Sequence, residues 1–207
     1  MSEKTDALWK DEFWTSVMAK VKPREGFSAR YPGKIDVLCK YAEMLPEESV
    51  IAEIGFNVGH GAHALISSAK GLARFVSFDI CEHQYAKPHW QHFQNNFSFF
   101  ETVEGDTTET LKDFSTRNEG IFDLIHVDGG HKYEIALSDL RCSQKLVKSG
   151  GFIIVDDTNI KGVSRALSEL DMNNFEVIEE CDVRSGGKLS DIGTSRQSKS
   201  TVLRRKS

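Results

Sequence analysis

Carboxylates close the apolar runs of this chain. Glu53 falls in "SVIAEIG", Asp79 in "RFVSFDI", Asp106 ends "FFETVEGD", Asp128 ends "FDLIHVD", and Asp156 with Asp157 ends "GFIIVDD". An acid crowded at a cleft needs a partner to offset its desolvation. One such acid is explained by capping of the helix that follows it; the whole series points to a site. The run "IHVDGGHKYE" (125–134) adds His131 close to Asp128. Aspartate and histidine are the residue types of cation binding and proton transfer.

The segment "EIGFNVGHG" carries glycines at 55, 59 and 61. Glycines there let the backbone approach a ligand and open a helix whose N-terminus attracts negative charge. The spacing GxxxGxG also occurs in short-chain dehydrogenases. Two features disfavour that chemistry. None of the four tyrosines (Tyr31, Tyr41, Tyr85, Tyr133) has a lysine four residues later. Glu53, just before the glycines, is a poor neighbour for a pyrophosphate and suits a cationic ligand such as the amino end of an amino acid. Asp79 follows Gly55 by 24 residues, where a carboxylate can grip a ribose diol. Asp106 is placed to accept from an adenine amino group.

These residues need a scaffold, and the hydrophobic pattern supplies one. Spacings of three and four predict helices over 5–21 and 34–45, joined by a loop over 22–34. After them short strands (49–55, 74–80, 99–106, 122–128, 151–157) alternate with helices (60–71, 87–97, 107–117, 132–151, 161–172). A strand over 175–183 and a last strand over 201–206, returning antiparallel, follow a polar Gly/Ser-rich hairpin loop over 184–200. Alternation of this kind predicts an α/β protein: a Rossmann-like three-layer sandwich with a mostly parallel seven-stranded sheet, an antiparallel last strand and a short helical N-terminal cap. In such sheets ligands bind beyond the carboxyl ends of the strands, where the acids lie. The expected division is a cap over 1–47 and a cofactor-binding part over 48–207 within one domain.

Bulk properties narrow the classes. The chain has 207 residues and a formal net charge of −5, which gives no sign of a nucleic-acid surface. The tail from Val183 to Ser207 has seven Lys/Arg against one acid, read as a solvated loop and a charge-blunted edge strand. No apolar run approaches the roughly 20 residues that span a bilayer, and the N-terminus has no secretory character. The four cysteines form no CxxC pair, which fits free thiols and a cytoplasmic setting. The apolar N-terminal helix is a possible homo-oligomer interface, and its Trp9, Phe13 and Trp14 either pack on the sheet or line a pocket. His60 and His63 read as packing or surface residues. His83, His89 and His92 read as an exposed helix face rather than a zinc cluster.

Taken in order, "VIAEIGFNVGHGA", "FVSFDI", "EGDT", "FDLIHVDGGHKYE" and "GGFIIVDD" resemble the class I S-adenosylmethionine-dependent methyltransferases. More narrowly they resemble the small O-methyltransferases with a DGxHxY motif, related to the macrocin and catechol types. The resemblance spans about residues 48–160. It implies that Glu53, Gly55, Asn57 and Gly59 hold the methionine part of the cofactor and Asp79 its ribose. Asp106 and Thr107 would lie near the adenine, and Asp128 beside the cofactor. It implies a Mg²⁺ site of Asp128, Asp156 and Asp157, and His131 as proton acceptor with Asp128 as catalytic partner, acting on a small-molecule hydroxyl. Asn57 departs from the commoner glycine of that loop. A metal-independent methyltransferase, a nicotinamide-dependent oxidoreductase and a non-catalytic cofactor-binding scaffold are the competing readings.

Overall fold

The computed structural model describes residues 32–182 and 198–207. The expected helix over 5–21, with Trp9, Phe13 and Trp14, and most of the hairpin loop lie outside these residues. Helix α1 (Pro32–Met44) leads into β1 (Ser49–Ile54), α2 (His60–Ser68), β2 (Leu72–Asp79), α3 (Ala86–Asn96) and β3 (Phe100–Glu104). Then come α4 (Thr107–Arg117), β4 (Phe122–Val127), α5 (Tyr133–Leu146), β5 (Val147–Val155), α6 (Lys161–Ser168), β6 (Phe175–Asp182) and β7 (Lys199–Arg205). The seven strands form one sheet in the order β3-β2-β1-β4-β5-β7-β6. Strands β1 to β5 run parallel, and β7 inserts antiparallel between β5 and β6. This is the expected Rossmann-like architecture.

Strand periodicity decides which side chains reach the site. Side chains alternate faces along a strand. On one face Ile51, Phe75, Leu124, Phe152 and Ile154 pack with α1, α2 and α3 through Leu38, Leu65 and Phe93. On the other, Ala52, Val76, Ile125 and Ile153 pack with α4, α5 and α6 through Leu111, Leu140 and Ala166. Glu53 is two residues beyond Ile51, and His126 two beyond Leu124. Both therefore stand on the α1 face, where the register makes them direct neighbours. Asp128 and Asp156 continue the same rows past the strand ends.

Several boundaries differ from expectation, most of all around β5. The helix expected over 132–151 ends at Leu146, and β5 begins at Val147. Val147 is fully buried and paired with Phe122, so tertiary packing of a β-branched residue overrides helical continuation. His89, expected on an exposed face, is buried at 1% exposure, with its Nδ1 2.6 Å from the Tyr85 carbonyl. Its helix packs through that side on the sheet, beside Trp90 and Phe93.

Candidate active site

A cavity of about 1160 Å³ opens above the C-terminal ends of the parallel strands. Typical small-molecule sites hold roughly 300–1,000 Å³, so it has room for two ligands side by side. Its walls include Glu53, Gly55, Asn57, Asp79, Asp106, Thr107, Asp128, His131 and Asp157. These residues come from five different strand ends and were all singled out from the sequence. Gly59 does not line the cavity but packs against Phe56 and Phe93, and Asp156 lies buried beneath it at 4% exposure.

At one end stand the glycine loop and three acids. Gly55 and Gly59 have φ of 89° and 85°, and Asn57 has φ of 53°. Asn57 thus takes the left-handed conformation that glycine takes in commoner versions of the loop, and asparagine tolerates it better than most residues. Asp79 ties the loop down. Its Oδ2 accepts from the backbone N–H of Phe56 at 2.7 Å and of Asn57 at 3.0 Å, and its Oδ1 accepts from Cys81 at 2.6 Å. Asp106 caps α4 by accepting from the Thr108 N–H at 2.9 Å.

Glu53 is buried at 1% exposure, and burial pushes its pKa up. Its Oε1 lies 3.2 Å from His126 Nδ1, while its Oε2 is buried with no hydrogen-bond partner among the described residues. A buried acceptor without a donor costs free energy. A ligand ammonium in the cavity would satisfy it, so Glu53 fits the amino acid part of S-adenosylmethionine.

At the other end three carboxylates converge, as the sequence implied. What lies between them is a lysine ammonium. Lys34 Nζ is 3.1 Å from Asp156 Oδ2 and 3.6 Å from both Asp128 Oδ1 and Asp157 Oδ2. Burial by itself would lower the Lys34 pKa; the three carboxylates outweigh that and hold it above the ordinary lysine value. Burial raises the Asp128 carboxyl, with Lys34 opposing. For Asp156 burial is outweighed by Lys34 and His126, which hold the carboxyl well below its usual range. His126 Nε2 lies 3.2 Å from Asp156 Oδ2, so Glu53, His126, Asp156 and Lys34 form one buried chain of contacts. Ser200 donates to Asp156 from β7.

This arrangement tests the implied metal. Aspartate oxygens are the right donors for Mg²⁺, which takes them at about 2.0–2.1 Å. An ion bridging these three would stand against the Lys34 ammonium. The three carboxylates would attract the ion, but the ammonium already occupies the point where their oxygens converge, and ion and ammonium 4 Å apart would repel by roughly 8 kcal/mol at an effective dielectric of 20. With Lys34 in place the residues do not fit Mg²⁺.

His131 stands on the rim. Its Nε2 lies 3.2 Å from Asp157 Oδ2, and that contact raises its pKa. Asp157 also accepts from Ser198 Oγ at 2.9 Å and has φ of 54°, an uncommon left-handed geometry that accompanies its dual contact. Asp157 therefore orients a histidine, and neither aspartate of the pair serves as a side-chain cap for the turn that follows. Tyr133 turns away from the cavity: its hydroxyl donates to Glu169, and the Arg165 guanidinium lies 3.8 Å from its ring centre.

Lys34 and His126 carry this geometry and were missed in the sequence. His126 was legible: a histidine inside an apolar strand, two residues before Asp128, must share its face. Lys34 falls at the junction of a Pro/Gly-rich loop and a helix, and nothing local ties it to acids about a hundred residues away.

Residues 52–158 match the model of a family described as a methyltransferase domain. The chain belongs to that family. No curated protein matches it in sequence. Among solved structures it is similar to the O-methyltransferase TomG from Streptomyces achromogenes, involved in tomaymycin synthesis and solved with SAM. Identity there is 17%, over 96% of this chain and 91% of that one, with a TM-score of 0.71. An O-methyltransferase from Bacillus cereus in complex with SAH is 14% identical over 100% and 92% of the chains, with a TM-score of 0.69. The N-methyltransferase NodS from Bradyrhizobium japonicum, with S-adenosyl-L-homocysteine, is 16% identical over 94% and 99%, with a TM-score of 0.62. At these identities the likeness is one of fold, and this methyltransferase shows that fold over its described residues.

Proposed function

We propose that this methyltransferase moves a methyl group from S-adenosylmethionine to a hydroxyl oxygen of a small molecule. One observation carries the reading. A single cavity has Glu53, Asp79 and Asp106 at one end and Asp128, His131 and Asp157 at the other. The first set suits an ammonium, a ribose and an adenine amino group in turn; the second suits an acceptor hydroxyl. The O-methyltransferases solved with SAM and SAH support the same assignment.

When bound, the cofactor supplies a methyl group on a positively charged sulfur, which needs only an aligned nucleophile and exclusion of water. Glu53 would anchor the amino end, Asp79 the ribose hydroxyls. His131, held by Asp157, would take the acceptor's proton as its oxygen bonds to the methyl carbon and the sulfur–carbon bond breaks. The products are a methyl ether, S-adenosylhomocysteine and a protonated His131. Mg²⁺, implied by the resemblance, enters no step, because Lys34 stands among its would-be ligands. The thiols of Cys39, Cys81, Cys142 and Cys181 form no disulfide, which supports a cytoplasmic setting, and no described helix is long and apolar enough to cross a membrane.

Calorimetric titration with S-adenosylhomocysteine tests the reading. Binding in the micromolar range, followed by label transfer from S-adenosylmethionine to members of a phenol and alcohol panel, is the expected result. No binding, or binding of NAD(H) instead, would overturn it.

A further inference from the structure

We propose that Lys34 is the resident cation of the acceptor end of the site, a covalently attached ammonium in the position that a divalent metal would take. The inference deepens the methyltransferase reading and rests on it.

Three features of Lys34 carry the argument. It is held by convergence: carboxylates from the ends of two strands, β4 and β5, meet at one nitrogen within 3.6 Å. It is buried at 6% exposure while lining the cavity, so its charge faces the cavity rather than bulk water. And it sits where a lysine is otherwise unfavourable. Lys34 is in the first turn of α1 (Pro32–Met44), which has no acid in that turn. The positive end of the helix dipole disfavours a cation there. The local sequence thus opposes this placement, and the three acids across the cavity floor account for it.

The charge balance follows. With Lys34, the cluster of Asp128, Asp156 and Asp157 keeps an ammonium at its centre, beside the flanking imidazoles of His126 and His131. Without it, the three carboxylates lose their central cation, and with His126 or His131 they form a ligand set suited to a divalent ion. A substitution that removes the charge and keeps a polar stem should therefore turn an ammonium site into a metal site.

The experiment uses the full chain and Mn²⁺ as the probe. Binding is followed by the loss of the free-ion electron paramagnetic resonance signal, in the wild type and in Lys34→Gln. Titration with S-adenosylhomocysteine on the same samples reports an intact cofactor site. The wild type is expected to leave Mn²⁺ free up to about millimolar concentration, and Lys34→Gln to bind one equivalent at least about tenfold more tightly. Stoichiometric Mn²⁺ binding by the wild type overturns the proposal, and that measurement stands even if the variant does not fold. A folded variant that gains no affinity overturns it too. Loss of S-adenosylhomocysteine binding by the wild type strikes the methyltransferase reading instead, so the two failures are distinguishable.

Discussion

A Cβ built on Gly61 of α2 would stand 2.2 Å from Glu53 Oε1 and 3.0 Å from His126 Cε1. The glycine that ends the GxxxGxG pattern is therefore required by a buried Glu–His pair, because α2 rests directly on that pair. The prediction is that Gly61→Ala costs about 1–3 kcal/mol of stability through overpacking and weakens cofactor binding by displacing Glu53. Urea unfolding and S-adenosylhomocysteine titration check both parts. An alanine variant with wild-type midpoint and affinity would show that α2 does not bear on Glu53.

Asp79 does two jobs. Its carboxylate holds the glycine loop through the Phe56 and Asn57 N–H groups, and it lines the cavity where a ribose diol would sit. Asp79→Ala removes the loop anchor and the ribose acceptor together. Hydrogen bonds to charged groups contribute about 1.5–3 kcal/mol each, so S-adenosylhomocysteine affinity should fall by at least about 100-fold. Calorimetry measures this directly; a change under about threefold would remove Asp79 from the cofactor site.

His131→Gln should separate binding from turnover. General-base catalysis contributes roughly 10²–10⁴-fold, so kcat with an accepted hydroxyl substrate should fall within that range. Affinity for S-adenosylhomocysteine should stay near wild type, because His131 lies at the Asp157 end of the cavity. A variant with normal kcat would make the His131–Asp157 contact a structural one.

How much of this was legible follows from the range of each signal. Strand periodicity and the acids at strand ends are local, so the sheet, the cavity rim and the placement of Asp79, Asp106 and Asp128 could be read from neighbouring residues. The Lys34 contacts join α1 to the ends of β4 and β5, and Ser200 reaches Asp156 from β7. Such contacts depend on the register of distant elements, which no short stretch encodes. His89 was misread because the polarity of its side chain suggested solvent, whereas Phe93 and Trp90 set which face of α3 packs inward. The same reasoning hid Asp139, an acid inside a helix whose apolar neighbours Ala136 and Leu140 carry it into the core.

Asp139 supplies the pH dependence. It is 1% exposed, and its carboxyl oxygens make no well-formed hydrogen bond among the described residues; the nearby Thr107 hydroxyl pulls its pKa down but does not offset burial. Burial pushes its pKa from 3.8 to about 7. Between those values the folded chain holds a proton that the unfolded chain has released. The linkage slope is then negative, and stability falls as pH rises through the window, by at most about 1.4 kcal/mol per pH unit. Below the unfolded pKa the penalty is absent; above about 7 it is fully present. Asp139→Asn keeps the shape and removes the ionisation, so all other titrations cancel in the comparison. The variant should be more stable than wild type at pH 8, with the difference shrinking steadily toward pH 4.5. Urea unfolding of both proteins at several pH values measures it. A difference that does not change with pH would mean that the buried carboxyl keeps its ordinary pKa, and that a partner for it exists in the folded chain.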